Sequence, residues 1–217
     1  MPRRFFVTGT DTGVGKTQVS SALLSLLAER GEHPFAYKPC ESGGGDDAVR
    51  LQRAGGGWQR PETVCLYRLA APLAPEHAAR LEGVRIDWRR VLAGFRSFGE
   101  RAGVVEGAGG LFVPFAGRRD VIDLIEALAL PVVLVARAGL GTLNHTTLSL
   151  HALRERGLDV AAVVLVQSTK GKDPSIPFNR PELERRFPSI PFLGPVPYLA
   201  SEPRRRAALR RAVASIL

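Results

Sequence analysis

Lysine is nearly absent from this sequence. Of 217 residues, 30 are lysine or arginine, and only Lys16, Lys38, Lys170 and Lys172 are lysines. A chain that uses arginine almost everywhere keeps the compact ammonium for places where a point charge matters. Lys16 and Lys38 both fall at the end of an expected strand. Cysteine is just as scarce. Cys40 and Cys65 form no CxxC pair and have no metal spacing with histidine, so a disulfide framework is excluded by number and a reducing cytoplasm fits. No long apolar run exists. The most apolar stretch, Ala127–Ala136, is broken by Pro131 and is too short to span a bilayer. The opening Met-Pro-Arg-Arg passes straight into a strand, without the apolar region of a signal peptide. The expectation is a cytoplasmic protein without a membrane segment.

Acidic residues are in deficit, 21 against 30 basic ones, giving a net charge of +9. Such a balance can signal a nucleic-acid or membrane partner. Here the arginines are scattered. Their one dense group, Arg204, Arg205, Arg206, Arg210 and Arg211, would spread over two or more faces of a helix, so it reads as a solvated face with no nucleic-acid partner. Hydrophobic residues make up 45%, enough to cover both faces of a buried sheet, and the length suits a single domain over residues 1–217.

Apolar runs alternate with helical spacing along the chain. Strands are expected at Phe5–Thr8, Phe35–Tyr37, Val104–Val105, Val132–Ala136, Val160–Val166 and within Pro191–Pro197. Helices are expected at Thr17–Glu29, from Asp46 or Asp47 to about Arg53, and at Val91–Arg101, Val121–Leu128, Asn144–Arg156 and Pro203–Leu217. The region Gly55–Pro75 carries no clear period. Strands that are apolar throughout, separated by helices, imply an α/β fold: a doubly wound, mostly parallel sheet with helices on both faces. Ligands of such sheets lie at the carboxyl ends of the strands, and the polar motifs sit at those ends.

Gly9-Thr10-Asp11-Thr12-Gly13-Val14-Gly15-Lys16-Thr17 lies between a strand and a helix. Small residues let backbone N–H groups point inward at a phosphate, and the helix N-terminus adds partial positive charge. Lys16 would reach the β/γ-phosphates and Thr17 would ligate Mg²⁺. Thr10 occupies the first glycine place of the usual G-x-x-x-x-G-K-[ST] spelling, but the strand–loop–helix setting identifies a P-loop of the NTPase type. Tyr37-Lys38-Pro39-Cys40-Glu41-Ser42-Gly43 puts a second lysine where it can project into the same crevice. Val105-Glu106-Gly107-Ala108-Gly109-Gly110 closes a buried strand with a carboxylate suited to Mg²⁺ or its water. Gly139-Leu140-Gly141-Thr142-Leu143-Asn144-His145 begins a helix for which Asn144 is a candidate N-cap.

These four motifs, in this order, resemble the dethiobiotin synthetase family, and the resemblance runs from Arg4 to about Leu199. It implies an ATP-dependent ligase of biotin biosynthesis that joins CO₂ (or bicarbonate) to 7,8-diaminononanoate, forming dethiobiotin, ADP and phosphate. Lys16 and Lys38 would be catalytic. Thr17, Asp47 and Glu106 would hold Mg²⁺, Asp47-Ala48 matching the family's Asp-Ala better than Asp46. ATP would meet Thr12, Gly13, Val14, Gly15, Lys16, Thr17, Asp47, Glu106, Gly107, Ala108 and Gly109. Around the base the family places an asparagine where this chain has Val166. Gln167 or Pro197-Tyr198-Leu199 would take that role, or other nucleotides would be accepted. The diamine would meet Ser42, Gly107, Leu143 and Asn144, the last two lent by the second subunit of a homodimer. No biotin prosthetic group is expected: Met1 is the only methionine, so the Met-Lys pair of biotin carriers is absent. Two rivals share the P-loop. A ParA/MinD-like switch ATPase would carry a lysine where Asp11 stands. A cobyrinate-type amide ligase would need a glutaminase domain, for which the chain has no room.

Overall fold

The structure, a computed structural model, describes residues 3–217; Met1 and Pro2, with which the expected single domain begins, lie outside the described residues. In chain order the elements are β1 (Arg4–Gly9), α1 (Lys16–Glu29), β2 (Phe35–Tyr37), β3 (Cys40–Glu41), α2 (Asp47–Ala54), α3 (Pro61–Val64), β4 (Tyr67–Arg68), α4 (Pro75–Leu81) and α5 (Trp88–Arg96). There follow β5 (Gly103–Glu106), β6 (Pro114–Ala116), β7 (Arg119–Asp120), α6 (Val121–Leu128), β8 (Val132–Arg137), α7 (Thr142–Glu155), β9 (Val160–Val166), α8 (Ile176–Arg186), β10 (Phe192–Val196) and α9 (Glu202–Val213).

Six strands form one sheet in the order β10-β9-β8-β1-β5-β2, and every pairing in it is parallel. Parallel strands need crossover connections, and helices on both faces bury the strands from either side, which is why they read as unbroken apolar runs. Val132 to Ala136 are all fully buried. Alternate residues feed opposite layers. Phe5 and Val7 pack with Leu23 of α1, Leu51 of α2 and Leu209 of α9. Phe6 packs on the other face with Val91 of α5 and Ile125 of α6. Leu134 and Ala136 meet Leu150 of α7 and Leu183 of α8 on that same side. β1 lies between β5 and β8, where the strand order reverses. The crevice outside its carboxyl end is therefore the place for a ligand.

Several expected boundaries shift. The helix expected at Val91–Arg101 runs from Trp88 to Arg96, because the Asp87 carboxylate accepts the amides of Arg89 (2.8 Å) and Arg90 (3.3 Å) and starts it three residues earlier. The helix expected to start at Asn144 begins at Thr142 with Gly141 as its N-cap, so Asn144 is no cap. At α2, Asp46 is the N-cap residue but makes no capping bond through its side chain; its Oδ1 accepts from Arg50 Nε at 2.7 Å. The unassigned region Gly55–Pro75 holds α3 and β4, elements too short to show a period, and ends on the first residue of α4. Helix α8 carries Pro177 and Pro181 and buries only Asn179 and Leu183, so its apolar pattern is too thin to announce a helix. Among the described residues no helix is long and apolar enough to cross a membrane.

Candidate active site

The loop after β1 is shaped by two glycines. Gly13 (φ 73°) and Gly15 (φ 103°) adopt backbone conformations costly for any residue with a Cβ, and a Cβ on Gly15 would also lie 3.3 Å from Val166 Cγ1. Gly15 is the N-cap of α1, whose first turn contains no acidic residue. The positive end of that helix is thus left free for an anion. Lys16 folds back over the loop, its Nζ donating to the Asp11 carbonyl at 2.9 Å. Asp11 is braced in turn. Its carboxylate accepts the Thr12 amide at 2.7 Å and pairs with Arg137, at the end of β8, at 2.9 Å.

Two further strand ends converge on this loop. Glu106 closes β5 and is 1% exposed. Its Oε1 accepts from the Thr17 hydroxyl at 2.8 Å and from Lys38 Nζ at 2.6 Å. Lys38, just past β2, also pairs with Asp47 at 2.9 Å. Asp46, by contrast, faces outward and pairs with Arg50, so of the two candidate aspartates Asp47 is the one beside Lys38. Burial acts to lower the Lys38 pKa, but the carboxylates of Glu106 and Asp47 outweigh it and hold the ammonium above the usual lysine range. Burial works against the Asp47 carboxylate as well, yet the charge and hydrogen bond of Lys38, with a bond from Thr17, keep it below the usual range. Lys16 differs: burial pulls its pKa down to about 8, with the charge of Glu106 opposing.

Among the described residues no three His, Cys, Asp or Glu side chains form a ready-made metal cage. The donors present are the Thr17 hydroxyl and the carboxylates of Asp47 and Glu106, all oxygen. The buried Glu106 Oε2 has no hydrogen-bond partner. That set fits Mg²⁺, which is commonly held by one or two carboxylates and completed by water and substrate phosphates. The two thiols offer no nucleophile: burial pushes Cys40 up to about 12 and Cys65 up to about 11.

Beside the loop, a cleft of about 510 Å³ is lined by Thr12, Gly13, Val14, Arg137, Val166, Gln167 and the segment 168–173, including Lys170 and Lys172. Gln167 Nε2 donates to the Gly171 carbonyl at 2.7 Å, so its amide nitrogen is committed within the segment. Pro197, Tyr198 and Leu199 follow β10 and do not line this cleft. Gly107 donates its amide to the Val7 carbonyl at 3.0 Å, while the amides of Ala108, Gly109 and Gly110 in that loop have no acceptor among the described residues. Ser42 is half-buried next to Glu41, Leu143 in the first turn of α7 is half-buried against the cluster of Leu134, Leu150 and Leu183, and Asn144 is exposed on α7. Sequence reasoning passed over Glu41 and Arg137. Glu41 lay inside a quoted motif, and Arg137 at a strand end, but one arginine among so many gave no signal.

A glycine cradle, a lysine on it, a hydroxyl after it and a carboxylate closing the neighbouring strand define a P-loop nucleotide-binding protein. Comparison with known proteins narrows that class. The model of a family described as "AAA domain" matches residues 3–203. The chain is 49% identical over 189 residues to the ATP-dependent dethiobiotin synthetase BioD of Anaeromyxobacter dehalogenans (strain 2CP-C), covering 84% of this chain and 85% of that one. It is 37% identical to the protein of the same name from Bacillus subtilis (strain 168), covering 92% and 89%. Among solved structures, a ParA family ATPase from Chlorobium tepidum TLS superposes with a TM-score of 0.57 at 14% identity, over 99% of this chain and 91% of that one. The septum site-determining protein MinD complexed with Mg-ADP from Pyrococcus horikoshii OT3 gives 0.52 at 17% identity, over 98% and 86%. These two likenesses establish the P-loop fold and nothing further. The chain belongs to the dethiobiotin synthetase family.

Proposed function

We infer that this chain is an enzyme that uses ATP to form dethiobiotin in biotin biosynthesis, residues 1–217 acting as one cytoplasmic synthetase domain. The observation that carries the reading is Lys38: a second buried ammonium, from a different strand end, meeting the P-loop threonine at the same carboxylate, Glu106.

The substrates that suit it are 7,8-diaminononanoate, CO₂ (or bicarbonate) and ATP. One amine adds to CO₂ and loses a proton, giving a carbamate. A carbamate oxygen attacks the γ-phosphorus and ADP leaves, producing a carbamic–phosphoric anhydride. The second amine attacks the carbonyl carbon, loses its proton and expels phosphate, closing the ureido ring. In the phosphoryl step negative charge is carried by the oxygens of the transferring group, and fixed cations lower the barrier. The chain supplies Lys16 and Lys38. Mg²⁺, held by Thr17, Asp47 and Glu106, would add further neutralisation at the phosphates. The donors of Thr12 to Thr17 would orient the triphosphate, with the cleft beside Gln167 receiving base and ribose. Ser42 and the uncommitted amides of Ala108 and Gly109 would meet the carbamate.

A homodimer belongs to this reading, with Leu143 and Asn144 reaching the partner's diamine. Three large apolar side chains support it: Leu140 (78% exposed), Leu148 (61%) and Phe112 (63%), on the α7 segment and the loop after Gly107–Gly110. The test is incubation with ATP, Mg²⁺, bicarbonate and diamine. Phosphate release that requires the diamine, with dethiobiotin detected by mass spectrometry, is expected. ATP hydrolysis indifferent to the diamine would point to a switch ATPase instead.

A further inference from the structure

Helix α2 begins in an unusual way. The first amides of a helix have no partner inside it and are ordinarily met by the N-cap side chain. Asp46 does not meet them, since its carboxylate is turned out to Arg50. Glu41 takes over from a different element: its Oε1 accepts the Asp47 amide at 2.7 Å and its Oε2 accepts the Ala48 amide at 3.4 Å. Glu41 is 3% exposed, and its nearest cation, Arg68 Nε, stands 3.9 Å away. The N-terminus of α2 is therefore the main counterpart of a buried charge. The backbone around Glu41 is fixed as well. Its carbonyl accepts the Leu69 amide at 2.8 Å, and the Gly43 amide donates to Ala71 at 3.0 Å. Gly45 passes so close that a Cβ there would lie 2.8 Å from Glu41 Oε1.

These contacts close a circuit. The chain leaves Lys38, places Glu41 three residues on, loops through the glycines and returns with Asp47 bonded by its amide to Glu41 and by its carboxylate to Lys38. We propose that Glu41 is a positioning residue for the phosphoryl-transfer site: by holding the first residue of α2, it sets the Asp47 carboxylate in place beside Lys38 and Thr17. A residue that served only to cap the helix could be replaced by any local N-cap. A carboxylate reaching in from β3 instead ties the rotation of α2 to the strand segment that carries Lys38.

This inference rests on the synthetase reading for its kinetic test and stands apart from it for its binding test. Three variants are compared, Glu41→Ala, Glu41→Gln and Gly45→Ala, each with its urea midpoint measured. Glu41→Ala is expected to lower kcat by roughly ten- to a hundredfold and to raise the Mg²⁺ concentration for half-maximal rate, as loss of a group that orients a ligand does. Its KM for ATP stays within about threefold, because the P-loop is untouched. Glu41→Gln keeps an acceptor for the Asp47 amide and recovers to within about fivefold of the parent. Gly45→Ala crowds the same carboxylate and moves kcat in the same direction, which keeps the test open should Glu41→Ala not fold. Calorimetric titration with ADP, with and without Mg²⁺, gives the second readout: the gain in affinity due to Mg²⁺ shrinks in Glu41→Ala. Unchanged kcat and an unchanged Mg²⁺ gain in the folded variants, or a glutamine as damaging as the alanine, overturns the proposal. If the parent protein shows no diamine-dependent turnover, the synthetase reading falls and the ADP titrations alone decide for Glu41.

Discussion

Replacing Lys38 by methionine keeps a stem of similar length and removes only the ammonium. The consequence for stability follows from burial. The side chain of Lys38 is 6% exposed and that of Glu106 0%. Breaking a buried pair by deleting one partner leaves an uncompensated charge and typically costs about 3–5 kcal/mol. Two features set this case near the lower end, at about 3 kcal/mol: Thr17 still donates to Glu106, and Asp47, 38% exposed, can recover water. The sign of the pH dependence can be worked out. The Asp47 carboxylate sits below its ordinary value of 3.8, so its contribution is present above that value and is lost as pH falls through the folded one. Lys38 sits above its ordinary value of 10.5, so its contribution is complete below that value and is lost as pH rises through the folded one. The stability difference between parent and variant should be flat from about pH 5 to about pH 7, short of the titration of Lys16 that the Lys38 charge helps to depress, and should narrow on the acid side. The catalytic loss is a separate quantity. One fixed donor on a developing oxyanion is worth about 3–4 kcal/mol, so kcat should fall by about a hundred- to a thousandfold while ATP still binds. Urea unfolding across that pH range and diamine-dependent phosphate release measure the two. Turnover retained within a few-fold, or a stability difference that widens below pH 4, would refute the argument.

Lys16, with its pKa near 8, loses its proton on the alkaline side of neutrality, so nucleotide affinity should fall as pH rises past 8; calorimetry at pH 8.5 in two buffers of different ionisation enthalpy should show proton uptake on binding, and its absence would remove Lys16 from phosphate contact. The same depressed value means that the unfolded chain binds more protons between pH 8 and 10.5, so relief of the buried charge should add to stability over that interval. Gly15→Ala should destabilise the fold by about 1–3 kcal/mol through its φ of 103° and abolish nucleotide binding; unchanged binding by fluorescence titration contradicts the cradle. Leu140→Glu with Leu148→Glu should convert a dimer to a monomer in sedimentation velocity and cut kcat/KM for the diamine while leaving ADP binding intact; an unaltered mass counts against that face as the subunit interface.

The parallel sheet was legible because burial on both faces forces unbroken apolar strands, as at Val132–Ala136 and Val160–Val166. The P-loop and Glu106 were legible because each stands where a buried strand stops and small residues begin, and Lys38 because it is one of four lysines and follows a buried strand directly. What escaped had a physical reason. Asn144 reads as a cap by residue type, but Gly141, with its positive φ, had already turned the chain into the helix. The start of α2 could not be read locally because its amides are met by Glu41, six residues before Asp47, and no local signal encodes that reach. Helix α8 is anchored less by apolar period than by Asn179, whose side-chain amide donates to the Ala138 carbonyl at 2.8 Å.

The scarcity of lysine acquires a meaning once the side chains are placed. Lys16 and Lys38 are buried in the site, and Lys170 and Lys172 line the cleft beside it. Lys38 sits 2.6 Å and 2.9 Å from oxygens of two different carboxylates, an arrangement a compact ammonium satisfies with single N–H bonds. A guanidinium is a planar fork matched to one carboxylate at a time, and the chain uses it where the pair is half exposed, at Arg137 and Asp11. The split between the two basic residues therefore follows the geometry of the pairs they make. Likeness to the ParA and MinD proteins, at 14% and 17% identity, reaches the fold alone, so the pairing of Lys38 with two carboxylates has to be explained from this chain's own geometry.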